Sequence, residues 1–235
     1  MKHTLLIKDW LSSFLSLLFP HCCVVCGRPL AKGEECICTV CNINLPRTNY
    51  HLRKDNPVER LFWGQIPLER ATSFFFYEKG SDFRLILHRL KYGGQKEIGA
   101  IMGRYMAAEL LSSHFFQGID VIIPIPLHKK KQQIRGYNQS EWIARGIAAV
   151  TGIPIDTESI LRKKNTETQT RKSVFERRDN VEGIFELQHP ETLAGKHILI
   201  VDDVLTTGST TLACASCLVD VEDIRISILT LAMVE

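Results

Sequence analysis

The chain has 235 residues, 45% of them hydrophobic and 23% charged, with a formal net charge of +3. That length holds one good core plus a small accessory module, and the ordinary balance of apolar and charged residues excludes a disordered or collagen-like chain. The charge is unevenly placed: residues 128–180 hold twelve Lys/Arg and six Asp/Glu, a balance of +6, and the remainder sums to −3. A basic segment of this kind invites a polyanion, either pyrophosphate or nucleic acid.

Residues 1–20 read as an N-terminal helix, with the amphipathic pattern running over 4–19 and Pro20 ending it. The apolar stretch 10–19 is too short to cross a bilayer. Pro20-His21-Cys22 offers no small-residue cleavage site, so the helix does not read as a secretory leader. The expectation is a cytoplasmic protein with reduced thiols and no membrane span. The apolar helix face would pack on the module behind it or on a second chain, which leaves an oligomer open.

Residues 21–46 carry six of the eight cysteines. Cys23-Val-Val-Cys26 and Cys38-Thr-Val-Cys41, separated by 11 residues, have the spacing of two knuckles around one tetrahedral zinc. Gly27 permits the tight turn such knuckles use. The ligands are therefore Cys23, Cys26, Cys38 and Cys41, with Cys22 or Cys36 able to replace a neighbour. Four thiolates leave no open position, so the zinc is expected to be structural. It would supply folding energy that about 25 residues cannot provide alone.

Residues 47–70 mix charges with Pro57, Gly64 and Pro67 and read as a linker docking Leu61, Phe62 and Trp63. From residue 71 to 235 the periodicity changes to that of one α/β domain. Ala71–Tyr77 reads as a strand, Phe83–Leu90 as a helix, Lys91–Gly94 as a turn, and Ile98–Phe116 as a long helix with Gly103 inside. Asp120–Pro126 is a buried strand ended by prolines, and residues 129–139 lead from it to a helix at Ser140–Thr151. Ile155–Leu161, Gly183–Leu187, His197–Val201 and Asp223–Val234 read as further strands. Alternating strands and helices argue for a parallel sheet covered on both faces.

Two segments of this domain are polar where chemistry is expected. In His128–Gln139, the side chains of His128, Lys131 and Arg135 are placed to meet phosphate oxygens, Arg135 in a bidentate manner. Residues 162–183 are basic and nearly free of apolar periodicity up to Val181. A stretch this long inside a compact domain reads as a lid, with Arg162, Thr166, Gln169 and Arg178 as its polar contacts.

The stretch from Ile198 to Thr210, Ile-Leu-Ile-Val-Asp202-Asp203-Val-Leu-Thr206-Thr207-Gly208-Ser209-Thr210, joins a buried strand to paired acids, a small-residue turn and a helix start. Acids at a strand's carboxyl end sit where open α/β sheets bind ligands, and a helix N-terminus is a ready anion site. The stretch resembles the 5-phosphoribosyl-1-pyrophosphate (PRPP) signature of type I phosphoribosyltransferases. That resemblance implies that Asp202 and Asp203 bind ribose hydroxyls. It implies that Thr206, Thr207, Gly208, Ser209 and Thr210 cradle the 5-phosphate.

The whole chain resembles the competence-protein ComF family. The resemblance rests on the paired Cys knuckles, on Leu90-Lys91-Tyr92-Gly93, and on Pro124-Ile-Pro126-Leu-His128 with Arg135-Gly136-Tyr137-Asn138-Gln139. It rests also on Thr166-x-x-Gln169 with Arg177 or Arg178 and Asn180, and on the PRPP stretch. Lys172 and Tyr137 depart from the usual family residues. The resemblance implies an α/β fold with a type I phosphoribosyltransferase-like parallel sheet flanked by helices and a small N-terminal zinc ribbon. It also implies PRPP with Mg as ligand and a role in DNA uptake alongside other competence proteins. As an enzyme the chain would transfer a phosphoribosyl group to an acceptor that the sequence does not name. The alternative is a non-catalytic factor associated with single-stranded DNA, or an adaptor, that keeps the pocket for sensing.

Overall fold

A computed structural model describes residues 21–163 and 183–234. The expected helix of residues 1–20 and three of the expected lid contacts, Thr166, Gln169 and Arg178, lie outside the described residues. The apolar, β-branched runs of the α/β region form a four-stranded sheet: β1 (Leu68–Tyr77), β2 (Val121–Pro124), β5 (His197–Leu205) and β6 (Arg225–Val234). The order is β1-β6-β5-β2, and all three pairings are parallel. Central parallel strands are buried on both faces and so read as continuous apolar runs; Ile198, Leu199, Ile200 and Val201 are each 0% exposed.

Side-chain alternation along these strands splits the interior into two layers. Leu199 and Val201 join a core made with α3 (Arg84–Tyr92), α4 (Glu97–Leu110), α6 (Gln139–Thr151) and the cysteine module. Ile198 and Ile200 join an opposite core containing α7 (Ser209–Ser216), Phe62 and the small antiparallel pair β3 (Ile160–Arg162) and β4 (Phe185–Leu187). The short helices α1 (Thr39–Ile43), α2 (Pro57–Arg60) and α5 (Lys129–Arg135) are the other α-helices among the described residues.

The crossing of α4 and α6 depends on two glycines. A Cβ on Gly103 would lie 2.2 Å from the carbonyl oxygen of Ile143, and one on Gly146 would lie 2.0 Å from that of Ala100. Only bare backbone fits there. Residues 47–70 are more structured than a linker. Thr48 N donates to Phe74 O and Phe76 N to Pro46 O, so this segment covers the outer edge of β1. Asn56 caps α2 in a capping box with Glu59. Phe62 is fully buried, whereas Trp63, expected to dock with it, is 52% exposed.

Several boundaries differ from expectation for identifiable reasons. Residues 129–135 form helix α5, begun by the His128 side chain and closed by Gly136 at φ 79°, rather than a loop. Lys91 and Tyr92 continue α3 rather than turning. The long helix stops at Leu110, a 3₁₀ turn follows, and His114 adopts φ 57°. Ile155 contributes a single parallel bridge to Ile122 beside β2 instead of starting a strand.

Candidate ligand site and metal centre

Strand β5 runs through both acids to Leu205, so Asp202 and Asp203 stand at the carboxyl end of a central strand. Ser140, in the first turn of α6, donates its hydroxyl to Asp202 Oδ1 at 2.9 Å. The same oxygen accepts from the backbone N–H of Asp203 at 2.8 Å. Burial, then the charge of Asp203, pushes the Asp202 carboxyl up to about 7. Asp203 is 9% exposed and forms an ion pair with Lys91 Nζ at 3.0 Å. Lys91 is held in place through its neighbour: the Tyr137 hydroxyl donates to Leu90 O at 2.5 Å. Lys91 and Ser140 are site residues that sequence reasoning missed. Lys91 lies in a quoted motif, but its partner is 112 positions away.

After Leu205 the chain turns through Thr206 and Thr207, both exposed, into α7. Gly208 takes φ 75° there, and a Cβ on it would meet the Phe62 ring at 3.4 Å. The left-handed conformation is the reason for glycine. Thr207 and Ser209 exchange a hydroxyl hydrogen bond of 2.9 Å, and Thr210 is exposed on the first helical turn. Hydroxyls and unpaired helical N–H groups thus converge beside the acids.

Cations surround this edge. Burial presses Lys131 below the usual lysine range, followed by the charges of Arg162, Arg135 and Lys91. Burial likewise lowers Arg162, against the attraction of Asp202. Arg162 also lies over the Phe185 ring, 5.2 Å from its centroid. Lys91 thus pairs with Asp203 and Arg162 is drawn by Asp202, while Lys131 feels the charges of Arg162, Arg135 and Lys91. His128 is drawn into structure: its Nδ1 accepts from Lys130 N at 3.2 Å. Asn138 is likewise a cap, accepting from Ser140 N at 3.2 Å and donating to Ile125 O at 3.0 Å. The edge thus joins two carboxylates, a hydroxyl-bearing turn at a helix start and several cations.

The Sγ atoms of Cys23, Cys26, Cys38 and Cys41 all lie within 4.8 Å of one another, and none of the eight cysteines is in a disulfide. Cys26 and Cys38 sulfurs are 3.8 Å apart. Zinc–sulfur bonds of about 2.3 Å in a tetrahedron require sulfurs about 3.8 Å apart, so the set fits a zinc ion. Gly27 at φ 73° turns the first knuckle, with its N–H on Cys23 O at 2.9 Å. Burial raises the Cys23 thiol, but N–H groups of Cys26, Cys38 and Val25 bring it down to about 7. Burial and the three other thiols push Cys41 well up. Cys36 is not part of the set; its thiol points to Met102 Sδ at 3.9 Å. Glu35 of the module pairs with Arg104 of α4, and Arg47, the residue just after the module, pairs with Glu109 of α4 at 2.6 Å. Among the described residues, no helix is long and apolar enough to cross a membrane.

No protein-family model matches the chain. DNA utilization protein YhgH of Escherichia coli O157:H7 is 32% identical over 209 residues, spanning 83% of this chain and 88% of that one. Competence protein ComFC of Bacillus subtilis is 25% identical over 212 residues, spanning 88% of this chain and 75% of that one. Adenine phosphoribosyltransferase from Leishmania tarentolae superposes with a TM-score of 0.38 at 12% identity, covering 80% of this chain and 94% of that structure.

Proposed function

The chain belongs to the competence-protein ComF family, and we propose that it binds PRPP with a divalent cation at the carboxyl edge of β5, in support of DNA uptake. The observation that carries this is the joining of Asp202 and Asp203 to the hydroxyl-lined start of α7, with Lys91 paired to Asp203 and Arg162 drawn by Asp202. In this reading the two carboxylates accept hydrogen bonds from the ribose hydroxyls. Thr206, Thr207, Ser209 and Thr210 donate hydroxyl or amide hydrogens to the 5-phosphate, and Gly208 lets the backbone approach it. Lys131 and Arg135 meet the pyrophosphate, and Arg162 closes from the β3 side, where the lid residues begin. His128 acts by capping α5 and so setting the direction of Lys131 and Arg135.

Oxygen donors at this edge suit Mg, which would neutralise pyrophosphate charge as it leaves. The residues themselves orient the sugar, balance the leaving group's charge and exclude water. Cys23, Cys26, Cys38 and Cys41 hold a structural zinc that fixes the module against α4.

The reading is tested by thermal shift. PRPP with MgCl₂ raises the melting temperature of the wild-type protein, because a ligand that binds only the native state stabilises it. The double substitution Asp202→Asn, Asp203→Asn removes that rise; an unchanged rise would refute the assigned roles. The names of the relatives and the basic 128–180 segment favour a second reading, a non-catalytic factor on single-stranded DNA that uses the pocket as a sensor. PRPP binding with salt-sensitive single-stranded DNA binding, but no pyrophosphate release with any acceptor, would select it.

A further inference from the structure

We infer that Phe62 is a positioning residue for the anion-binding turn, and that the segment 56–65, which the sequence presents as a linker, sets that turn's shape from behind. This rests on the PRPP reading of the same site and concerns its 5-phosphate end alone. Gly208 takes φ 75°. A Cβ built on it would lie 3.4 Å from Cε1 and from Cζ of Phe62 and 3.8 Å from Leu61 Cδ1, the three nearest atoms outside its own stretch of chain. Among residues 206–210, Gly208 is the one buried position, while Thr206, Thr207 and Thr210 are exposed. The side of the turn facing away from solvent therefore rests on Phe62 and Leu61.

Glycine enters the left-handed region about as readily as the right-handed one, so Gly208 permits this turn without dictating it. What selects the conformation lies outside the turn. Phe62 is 0% exposed and shares a core with Leu205, at the end of β5, and with Ala213, Cys214 and Ala215 of α7. Its own position is fixed by hydrogen bonds on both sides in sequence. Asn56 Nδ2 donates to Ala71 O at 2.9 Å and fastens the segment to β1. Asn56 Oδ1 accepts from Val58 N and Glu59 N, and Phe62 N donates to Glu59 O at 3.0 Å. Beyond the ring, Gln65 N donates to Phe62 O at 3.1 Å and Gln65 Nε2 to Leu61 O at 2.9 Å. A close-packed interior transmits a change in such a wall to the backbone against it. Shortening the side chain gives the turn room to relax, which moves its N–H and hydroxyl groups off the phosphate. Binding constellations tolerate only about 0.5 Å of such misplacement. Lys131 and Arg135, at the pyrophosphate end, belong to a different element, α5.

The experiment compares the full-length wild type with Phe62→Leu, Leu61→Ala and Val58→Ala. Val58 is 0% exposed in the same segment and core but is not among the atoms nearest Gly208. Ribose 5-phosphate and pyrophosphate, each with MgCl₂, are titrated by calorimetry, and the Gly208 amide is followed by NMR without ligand. Phe62→Leu is expected to weaken ribose 5-phosphate about fivefold or more, to leave pyrophosphate within about twofold, and to shift the Gly208 amide resonance. Leu61→Ala weakens ribose 5-phosphate in the same direction. Val58→Ala lowers the melting temperature through its cavity but leaves both affinities unchanged. Equal ribose 5-phosphate affinity in wild type and Phe62→Leu would overturn the inference, as would an equal loss for both ligands. Should Phe62→Leu fail to fold, Leu61→Ala decides, and an unchanged ribose 5-phosphate affinity there overturns it. A wild type that binds neither ribose 5-phosphate nor PRPP, with the Gly208 amide still shifted in Phe62→Leu, would sink the PRPP reading while the brace stands; without that shift both fall.

Discussion

Replacing Asp202 by Asn separates the cost of the site from its use. In the free protein Asp202 is pushed from 3.8 to about 7, first by burial and then by Asp203. A carboxyl with a raised pKa in the folded state holds its proton there while the unfolded chain has already lost it. Stability therefore falls as pH rises from about 4 to about 7 and is level above. Roughly three pH units at about 1.4 kcal/mol each set a ceiling of about 4 kcal/mol, and the expected value is about 2–4 kcal/mol. Asn keeps a side-chain oxygen for the Ser140 hydroxyl and the Asp203 N–H, so those two hydrogen bonds survive. The variant should thus melt higher than wild type at pH 8, by about 5–10 °C for a chain of this size, and nearly alike at pH 4. The assay is differential scanning fluorimetry from pH 4 to 9, with and without PRPP and MgCl₂. A variant less stable than wild type at pH 8, or a difference that does not change with pH, would show that the carboxylate is not held against its preference. Retention of the PRPP rise would show that Asp202 does not take part in binding.

Lys91→Met leaves Asp203 without its counter-ion; at pH 8 it should cost about 1–3 kcal/mol in urea unfolding. Cys38→Ser should bring zinc content well below the one ion per chain expected of the wild type, and lower the melting temperature, whereas Cys36→Ser should keep the zinc; elemental analysis after gel filtration decides both. Gly146→Ala forces a methyl onto the carbonyl oxygen of Ala100, so it should cost about 1–3 kcal/mol or more and lower the melting midpoint without altering zinc content. Gly208→Ala strains the left-handed turn and should lower affinity for PRPP by about tenfold, read from the ligand dependence of melting.

What was legible in the sequence was whatever a short window contains. Ile198 to Val201 shows its burial on both faces as an unbroken apolar run, and the acids, turn and helix start follow within nine residues. The cysteine set was readable because knuckle spacing is local. Cys36 could not be placed on those grounds, since what removes it from the set is Met102, a residue of α4. Helix α5 was invisible for a different reason. Lys129–Arg135 has no buried residue, so it carries no apolar period, and only the His128 cap and Gly136 close it. Lys91 shows the same limit. Its neighbours read as a turn because two glycines follow, whereas packing of Tyr137 on Leu90 extends the helix and aims the lysine at β5.

The distribution of charge explains why the acid pair needs so many neighbours. Two adjacent carboxylates on a buried strand repel each other, and the fold answers this in two unequal ways. Lys91 neutralises Asp203 directly, while Asp202 receives hydrogen bonds from Ser140 and from the next N–H. Asp202 is inclined to keep its proton near neutrality while drawing Arg162, and burial, followed by the charges of Arg162, Arg135 and Lys91, holds Lys131 below the usual lysine range. In the proposed reading, a phosphorylated sugar carried by a divalent cation would bring an anion to the bases and a cation to the acids. Such a site gives up stability in the free chain and recovers it on binding, so its affinity should be read against the stability of the unliganded protein at the same pH.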